Sequence, residues 1–565
     1  MKLAKLNCLL ATMIMVGLCA GCDKTSTPST QQPSLESTPS EEVVGPYGKK
    51  IVEDLQTTNI LDDNYRNFYE IFVYSFRDSD GDGKGDLQGV IEKLDYVKDL
   101  GFTGIWLMPI HPSLTYHKYD VKDYYSIDPS YGTMEDFEKL IEECHKRDIK
   151  LIIDMVLNHS SSANEHFIKA IGAHQKEITF QELTEEEEIY KDYYTFYDDE
   201  ADIPSGVIAY QAAGKTFYYE GNFSSGMPEF NCDNPHVRQE FKNILKFYLD
   251  KGIDGFRFDA VKYFYINDMN KNIELLSELN TYVKSINPKA YLVGECWSGD
   301  TTIAEYYKSG FDSFFNFSAS VSNPSGYVMN SINRMGSSLS MYANGLKQNI
   351  DLANGYIPAP FIDNHDMPRF TPSIEDLSDT KYQYALLSML NGATFTYYGS
   401  EVGMIGTNTS GKPDQDVRLP MRWGEEDKKG DVNLQNFKEI TKASYPHGTV
   451  KEQMEDPNSL YNFYKKCLLI RNQHPEIARG AVEQLALEKQ EDDHKELFIK
   501  KTYNGSSIGI VFNFSPVYDL EVNYKQYGFN EVVGQIVVNS SDERYVGILE
   551  NGNIKMPSYS IAIVK

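Results

Sequence analysis

Three short carboxylate-bearing segments follow one another along the chain, each closing an apolar, strand-like run. They are Gly255-Phe256-Arg257-Phe258-Asp259, Val293-Gly294-Glu295 and Phe361-Ile362-Asp363-Asn364-His365-Asp366. Two carboxyl groups facing one bond are the minimum equipment for cleaving a glycoside, one as nucleophile or base and the other as acid. A third can hold the sugar and its developing positive charge. Arg257 stands two residues before Asp259, and on a strand those side chains share a face. The guanidinium is therefore expected to keep the carboxylate ionised and oriented, as a nucleophile requires. Glu295 follows Tyr291-Leu292-Val293 and precedes Cys296-Trp297. A carboxyl group beside an indole and near other carboxylates is expected to have a raised pKa and keep its proton, which suits a general acid. Asp366 is then free to bond sugar hydroxyls. A single Asp at a strand end is more often a helix cap or a structural ion-pair member. Three in this order, with Asp154-Met155-Val156-Leu157-Asn158-His159 on a further strand, are hard to explain that way.

The elements that must position these groups are eight short apolar runs alternating with helix-like stretches. The runs are Tyr69–Phe76, Gly104–Ile110, Leu151–Val156, Ile253–Asp259, Ala290–Glu295, Phe311–Phe317, Tyr356–Asp363 and Ala393–Gly399. Several are continuously hydrophobic, as parallel strands buried on both faces are. Helical periodicity lies between them, over Met134–Lys146, Arg238–Lys251 and Asn272–Ser285. The expected fold is α/β, a (β/α)8 TIM barrel, in which working residues sit at the C-terminal strand ends. The interval from Asn158 to about Arg238 is too long for an ordinary connection and predicts an inserted domain after the third strand. From about Gly480 short strand-like pieces predict a C-terminal all-β sandwich. The expected division is a leader over 1–22, a tether over 23–59, barrel over 60–158, inserted domain over 159–235, barrel again over 236–480, and the sandwich over 481–565.

Net charge is −28, from 54 basic and 82 acidic residues. This excludes nucleic acid and anionic membrane surfaces as partners, because both need clustered Lys and Arg. Aromatic residues make up 13%, with 40 Tyr, and flat rings suit the C–H faces of sugars. Cys144, Cys232, Cys296 and Cys467 are scattered, which supports neither a disulfide framework nor a zinc site. Lys2, Lys5 and the apolar run from Leu9 to Ala20 form a secretory signal. It ends Leu18-Cys19-Ala20-Gly21-Cys22, which resembles a bacterial lipoprotein processing site with Cys22 as the lipidated residue. Cys19 stands where an aliphatic residue is usual, and an ordinary cleaved signal or an uncleaved anchor is the alternative. Residues rich in Ser, Thr, Pro and Gln follow as a flexible tether. The chain is thus expected to be exported and to meet a membrane only through an N-terminal lipid anchor.

The four carboxylate-bearing segments resemble, in order, the signature regions of the α-amylase family of glycoside hydrolases (family 13). Gly104-Ile105-Trp106-Leu107-Met108-Pro109, Met227-Pro228-Glu229-Phe230-Asn231 and Tyr398-Gly399-Ser400-Glu401 match as well. The resemblance implies Asp259 as nucleophile, Glu295 as acid/base and Asp366 as transition-state stabiliser. It places His159, Arg257 and His365 around the sugar, and Tyr119 stacked against it. It also gives Lys262 a substrate contact. Glu295 would protonate the glycosidic oxygen while Asp259 attacks the anomeric carbon, and water would release the glycosyl-enzyme with retention.

Asp78-Ser79-Asp80-Gly81-Asp82-Gly83-Lys84-Gly85-Asp86 has carboxylates at alternate positions separated by glycines, a tight loop able to wrap Ca²⁺. Its first half has EF-hand spacing, but position twelve is Gly89 and a strand precedes it. The resemblance implies Asp78, Asp80, Asp82, Asp86 and the Lys84 carbonyl as ligands. A second calcium, common in the family, would involve Asn158 and Glu229. Tyr263 replaces the usual His there and leaves that site open. The expected activity is endo-cleavage of internal α-1,4 bonds in starch-like glucans and maltooligosaccharides by a monomer. The alternatives are an exo-acting α-glucosidase, oligo-1,6-glucosidase or transglycosylase on the same scaffold, or a non-catalytic glucan-binding surface protein. Exo-glucosidases usually carry an Asp three residues before the stacked Tyr, where this chain has Tyr116.

Overall fold

The computed structural model describes residues 44–565 except 322, 324–325, 329–337, 372–376, 407–413, 425–431, 433–444 and 488–494. The leader, Cys22 and the tether as far as residue 43 lie outside the described residues.

Eight parallel strands form the barrel: β1 (Asn67–Ile71), β2 (Gly104–Leu107), β3 (Lys150–Met155), β4 (Gly255–Phe258), β5 (Tyr291–Gly294), β6 (Ser313–Asn316), β7 (Ala359–Pro360) and β8 (Thr394–Tyr397). They pair in the order β7-β6-β5-β4-β3-β2-β1-β8, and a parallel bridge from Phe361 to Phe395 closes the ring. Every residue of β1, β2, β4, β5, β6 and β8 is buried, as continuous apolar runs covered on both faces must be. Large rings fill the interior. Phe395 stacks on Phe68 at 4.8 Å and meets Phe315 edge-on at 4.9 Å, with Trp106 beyond. The barrel is therefore a packed core whose only usable surface is its rim. Gly255 opens β4 at φ 154°, where a Cβ would collide with the Tyr291 carbonyl oxygen. Only glycine lets β4 lie this close to β5.

The outer helices bury one stripe each. Met134–His145 turns Phe137, Leu140, Ile141 and Cys144 inward, the i, i+3, i+4, i+7 pattern of a half-buried helix. Thr133 and Asp136 close its start as a reciprocal capping box, worth about 1 kcal/mol.

Seven of the eight strands are shorter than the runs read from the sequence, and two of them stop early for a visible reason. The first stops at Ile71 and turns into a helical turn over Val73–Phe76. The seventh pairs only at Ala359–Pro360, since Pro358 and Pro360 have no N–H to donate to a ladder. Between β3 and the helix Pro235–Asp250 lie helices Glu165–Ile178 and Glu185–Tyr190 and a three-stranded antiparallel sheet, ordered Phe196–Tyr197, Tyr218–Glu220, Ala209–Gln211. The acidic stretch Glu185–Glu188 is the first turn of a Thr184-capped helix, where negative charge complements the dipole.

The C-terminal region consists of two five-stranded antiparallel sheets packed over Phe498, Val511, Val522, Val537, Ile554, Met556 and Ala562. One sheet contains a hairpin from the other end of the described chain. Val44–Gly45 pairs with Gly48–Lys50, which pairs with Gly547–Ile548, and Ile51 is buried beside them. The expected tether over 23–59 therefore does not extend through these residues. Strands of two and three residues around Pro46 carry too little alternation to be read from sequence. No described helix is long and apolar enough to cross a membrane.

Candidate active site

The parallel register sets Asp154 of β3 and Val293 of β5 level with Arg257 of β4. Arg257 is 1% exposed and its guanidinium joins three carboxylates. Nη1 donates to Asp154 at 2.8 and 3.0 Å and to Asp259 Oδ1 at 2.7 Å, and Nη2 meets Glu295 Oε1 at 3.0 Å. The expected Arg257–Asp259 pair is one arm of this fork. Directly after Asp259, Ala260 adopts φ 50°, a left-handed turn that points its N–H at Glu295 Oε2, 3.2 Å away. The chain thus uses a strained residue to bind the second carboxylate beside the first.

Burial raises the Glu295 pKa above the ordinary glutamate value. Arg257 opposes that shift, and Asp259 and Asp366 add to it. The expected indole effect is not the cause to name. Trp297 is 41% exposed and stacks on Phe317 at 5.1 Å, because the chain leaves β5 at Gly294 and strand alternation no longer relates the two side chains.

Asp366, beyond β7, is gripped from two sides. His365 Nε2 lies 2.9 Å from Oδ2 and Arg418 Nη2 lies 2.8 Å from Oδ1. Burial would raise its pKa, but these cations outweigh burial and hold it well below the usual carboxylate range. His365 sits between Asp366 and Glu70 of β1, whose Oε1 is 2.5 Å from Nδ1. Burial opposes its charge, yet the two carboxylates push its pKa up to about 10. Tyr119 donates to Asp154 at 3.0 Å, lies 2.7 Å from His365 Nε2, and stacks its ring on that imidazole at 5.5 Å. His159 is buried with its pKa lowered by burial, and among the described residues nothing bonds its Nε2.

These groups line one cleft of about 650 Å³, with Asp259, Glu295, Asp366, Tyr119, His159 and Lys262 all on its wall. Arg257 and His365 lie just beneath it through the bonds above. Lys262 Nζ donates to the Trp297 carbonyl at 2.7 Å. The arrangement suits acid-assisted displacement at a sugar carbon: one ion-paired carboxylate, one carboxyl with raised pKa, and a third fixed as an anion.

Residues 70–480 match the model of the α-amylase catalytic domain. The chain belongs to the α-amylase family. Alpha-amylase 3 of Dictyoglomus thermophilum is 37% identical over 89% of this chain and 93% of its own. The solved structure of Eubacterium rectale Amy13B superposes with a TM-score of 0.80 at 39% identity, covering 90% of this chain and 97% of its own. An oligo-1,6-glucosidase of Halalkalibacterium halodurans is 27% identical over 79% of this chain and 89% of its own. As a member of the α-amylase family the chain is a family 13 glycoside hydrolase acting on α-glucans.

Within this α-amylase family site the sequence reading missed Arg418, Asp414 and Glu70. Arg418 is 52 residues from Asp366 in an irregular stretch, with no local signal to mark it. Asp154 was read only as part of a motif, and its bonds to Arg257 and Tyr119 make it the hub beneath the cleft.

In the acidic loop, Asp78, Asp80 and Asp86 bring carboxylate oxygens within 4.8 Å of one another. Asp78 accepts from Gly81 and Gly83 N–H groups, which wraps the loop. Asp82 is outside that group and faces Lys84, whose Nζ is 3.6 Å away. Three convergent carboxylates fit a hard dication. Asn158 and Glu229 do meet, at 3.4 Å, and burial with Glu220 nearby pushes the Glu229 pKa up to about 8.

Proposed function

We propose that this chain is a retaining, endo-acting α-amylase that cleaves internal α-1,4 bonds of starch-like glucans by double displacement. Asp259 is the nucleophile, Glu295 the acid/base and Asp366 the stabiliser of the oxocarbenium-like transition state. The observation that carries this reading is the Arg257 fork. One guanidinium holds Asp259 and Glu295 side by side, which favours the short spacing of a retaining pair over the wider gap that admits water. Glu295 protonates the leaving oxygen, and its raised pKa favours the protonated form that a general acid needs. Asp259 then attacks the anomeric carbon. Asp366 stays anionic between His365 and Arg418 and faces the charge that develops on the ring. Glu295, now a carboxylate, takes a proton from water as the glycosyl-enzyme is released.

Tyr116 supports the endo reading, since an aromatic side chain there provides no carboxylate to close a pocket behind a terminal sugar. One observation favours the exo-glucosidase alternative: Arg418 pairs with Asp414 at 2.8 Å on the cleft wall, a charged barrier at one end. Digesting soluble starch, pullulan and isomaltose separately decides between them. A ladder of maltooligosaccharides from starch is expected, whereas glucose alone from the first minutes would favour the exo enzyme.

The same proposal gives Ca²⁺ to Asp78, Asp80, Asp86 and the Lys84 carbonyl. The ion would supply charge and rigidity to the loop before the helix Leu87–Glu92. Chelation is expected to lower the thermal midpoint by several degrees, reversed by added Ca²⁺; an unchanged midpoint would remove calcium from the account. Export, lipidation at Cys22 and action as a monomer complete the proposal.

A further inference from the structure

Lys118 is the one residue of the cleft loop His117-Lys118-Tyr119 that faces away from the cleft, and it combines two costly features. Its backbone is left-handed, at φ 63°, a conformation that favours glycine. Its ammonium is also buried, the residue being 5% exposed. A lysine in such a conformation is strained, and a buried cation is costly unless it is paired. Both costs are offset at one place. Nζ reaches Asp128 Oδ2 at 2.6 Å and lies 4.6 Å from the centre of the Tyr131 ring. Asp128 is itself fixed by the Ser130 N–H at 2.9 Å and hydroxyl at 2.6 Å, and its N–H donates to the Ile110 carbonyl. The side chain is thus a strut from the cleft loop to a rigid turn before the helix Met134–His145.

The neighbours of Lys118 show what the strut holds. Tyr119 reaches Asp154 and His365, and His117 accepts the Tyr119 N–H on Nδ1 at 3.2 Å. Both line the cleft. A left-handed residue between them reverses the chain so that both rings face the cleft while the side chain between them faces inward.

We infer that Lys118 is a positioning residue: its buried ion pair with Asp128 holds the left-handed turn that presents His117 and Tyr119 to the sugar at the cleavage site. This rests on the proposed function for its kinetic consequence but not for its structural one. Displacement of reacting or positioning groups by about 1 Å can cost on the order of 100-fold in rate.

The test compares the full chain with Lys118→Met, Lys118→Arg and the double variant Lys118→Met/Asp128→Asn, which removes both charges and so leaves no buried ion unpaired. Crystal structures of the folded variants are read at Tyr119. Movement of its hydroxyl off Asp154 and His365 by about 1 Å or more in the double variant supports the inference; an unmoved Tyr119 overturns it, whether or not the enzyme turns over. In kinetics on maltoheptaose, Lys118→Met and the double variant are expected to lose about tenfold in kcat with KM within about threefold. Lys118→Arg should recover most of that loss. A double variant that regains both its thermal midpoint and its kcat would show Lys118 to be merely structural. If Lys118→Met does not fold, the double variant decides. Wild-type protein inactive on starch and maltoheptaose would overturn the proposed function alone, with the Tyr119 geometry still deciding the role of Lys118.

Discussion

On the side of the cleft contributed by β7, β8, β1 and β2, Asp366, Tyr119 and Arg418 on the wall and His365 and Glu70 just beneath it are locked partner to partner. On the wall contributed by the β3 insertion, β4 and β5, Phe223, Tyr263 and Trp297 present aromatic rings beside Lys262. Phe223 is 44% exposed and meets Tyr263 edge-on at 5.3 Å, while Trp297 is 41% exposed and stacks on Phe317. Glu295 stands on the aromatic side, so under the proposed mechanism the leaving portion of the glucan would depart along the rings. The ring that becomes positively charged would then stay against the charged wall. Fixed dipoles and charges stabilise a transition state because they need no rearrangement when charge appears. Stacked rings bind sugar before and during reaction alike and affect mainly affinity. On the proposed mechanism one wall is expected to govern rate and the other grip.

Asp259 lies between the walls on the shared floor, and its removal is expected to have the largest effect. Asp259→Asn should lower kcat on starch by on the order of 10⁴ or more, read as reducing ends released. Neither wall can replace a nucleophile. On the charged wall, Arg418→Leu leaves Asp366 and Asp414 without their guanidinium. We expect kcat to fall about 10²-fold and the thermal midpoint to drop by about 5 °C, since a largely buried pair is broken. A loss confined to KM would erase the distinction between the walls. On the aromatic wall, Trp297→Ala should raise KM for long maltooligosaccharides about fivefold with kcat within about twofold and the midpoint unchanged.

The smallest expected effect concerns pH. The His365 pKa is raised to about 10 by its two carboxylates. Its contribution to stability is therefore complete below its unfolded value of about 6.5 and is lost as pH rises towards 10. Melting across that interval should show a decline that His365→Gln flattens; an equal decline in the variant would remove the charged imidazole from the account. The alkaline limb of kcat/KM should lie above the ordinary glutamate value, because Glu295 must keep its proton.

The three carboxylates of the cleft were legible in the sequence because strand ends place chemistry at fixed offsets from apolar runs. Asp259, Glu295 and Asp366 each follow a buried segment, and the i, i+2 spacing of Arg257 and Asp259 gave their ion pair directly. The charged wall was legible only in part. His365 and Tyr119 sit in readable motifs, but Glu70 looks like one more strand residue, and Arg418 reaches Asp366 from an irregular stretch far along the chain. The raised Glu295 pKa matches the expectation in direction and in its carboxylate cause, while Trp297 stacks on Phe317, a partner that sequence adjacency does not show. The N-terminal hairpin was hidden for another reason. Its strands are stabilised by Gly547–Ile548 from the far end of the chain, and nothing local to residues 44–50 records that partner.

The central claim is that Asp259 and Glu295 act as a retaining pair, and it is tested most directly by the anomeric form of the first product. Proton NMR of maltoheptaose during the first minutes of hydrolysis, before mutarotation, should show new reducing ends in the α configuration. New β-anomers appearing first would contradict double displacement and the role of Asp259 as nucleophile.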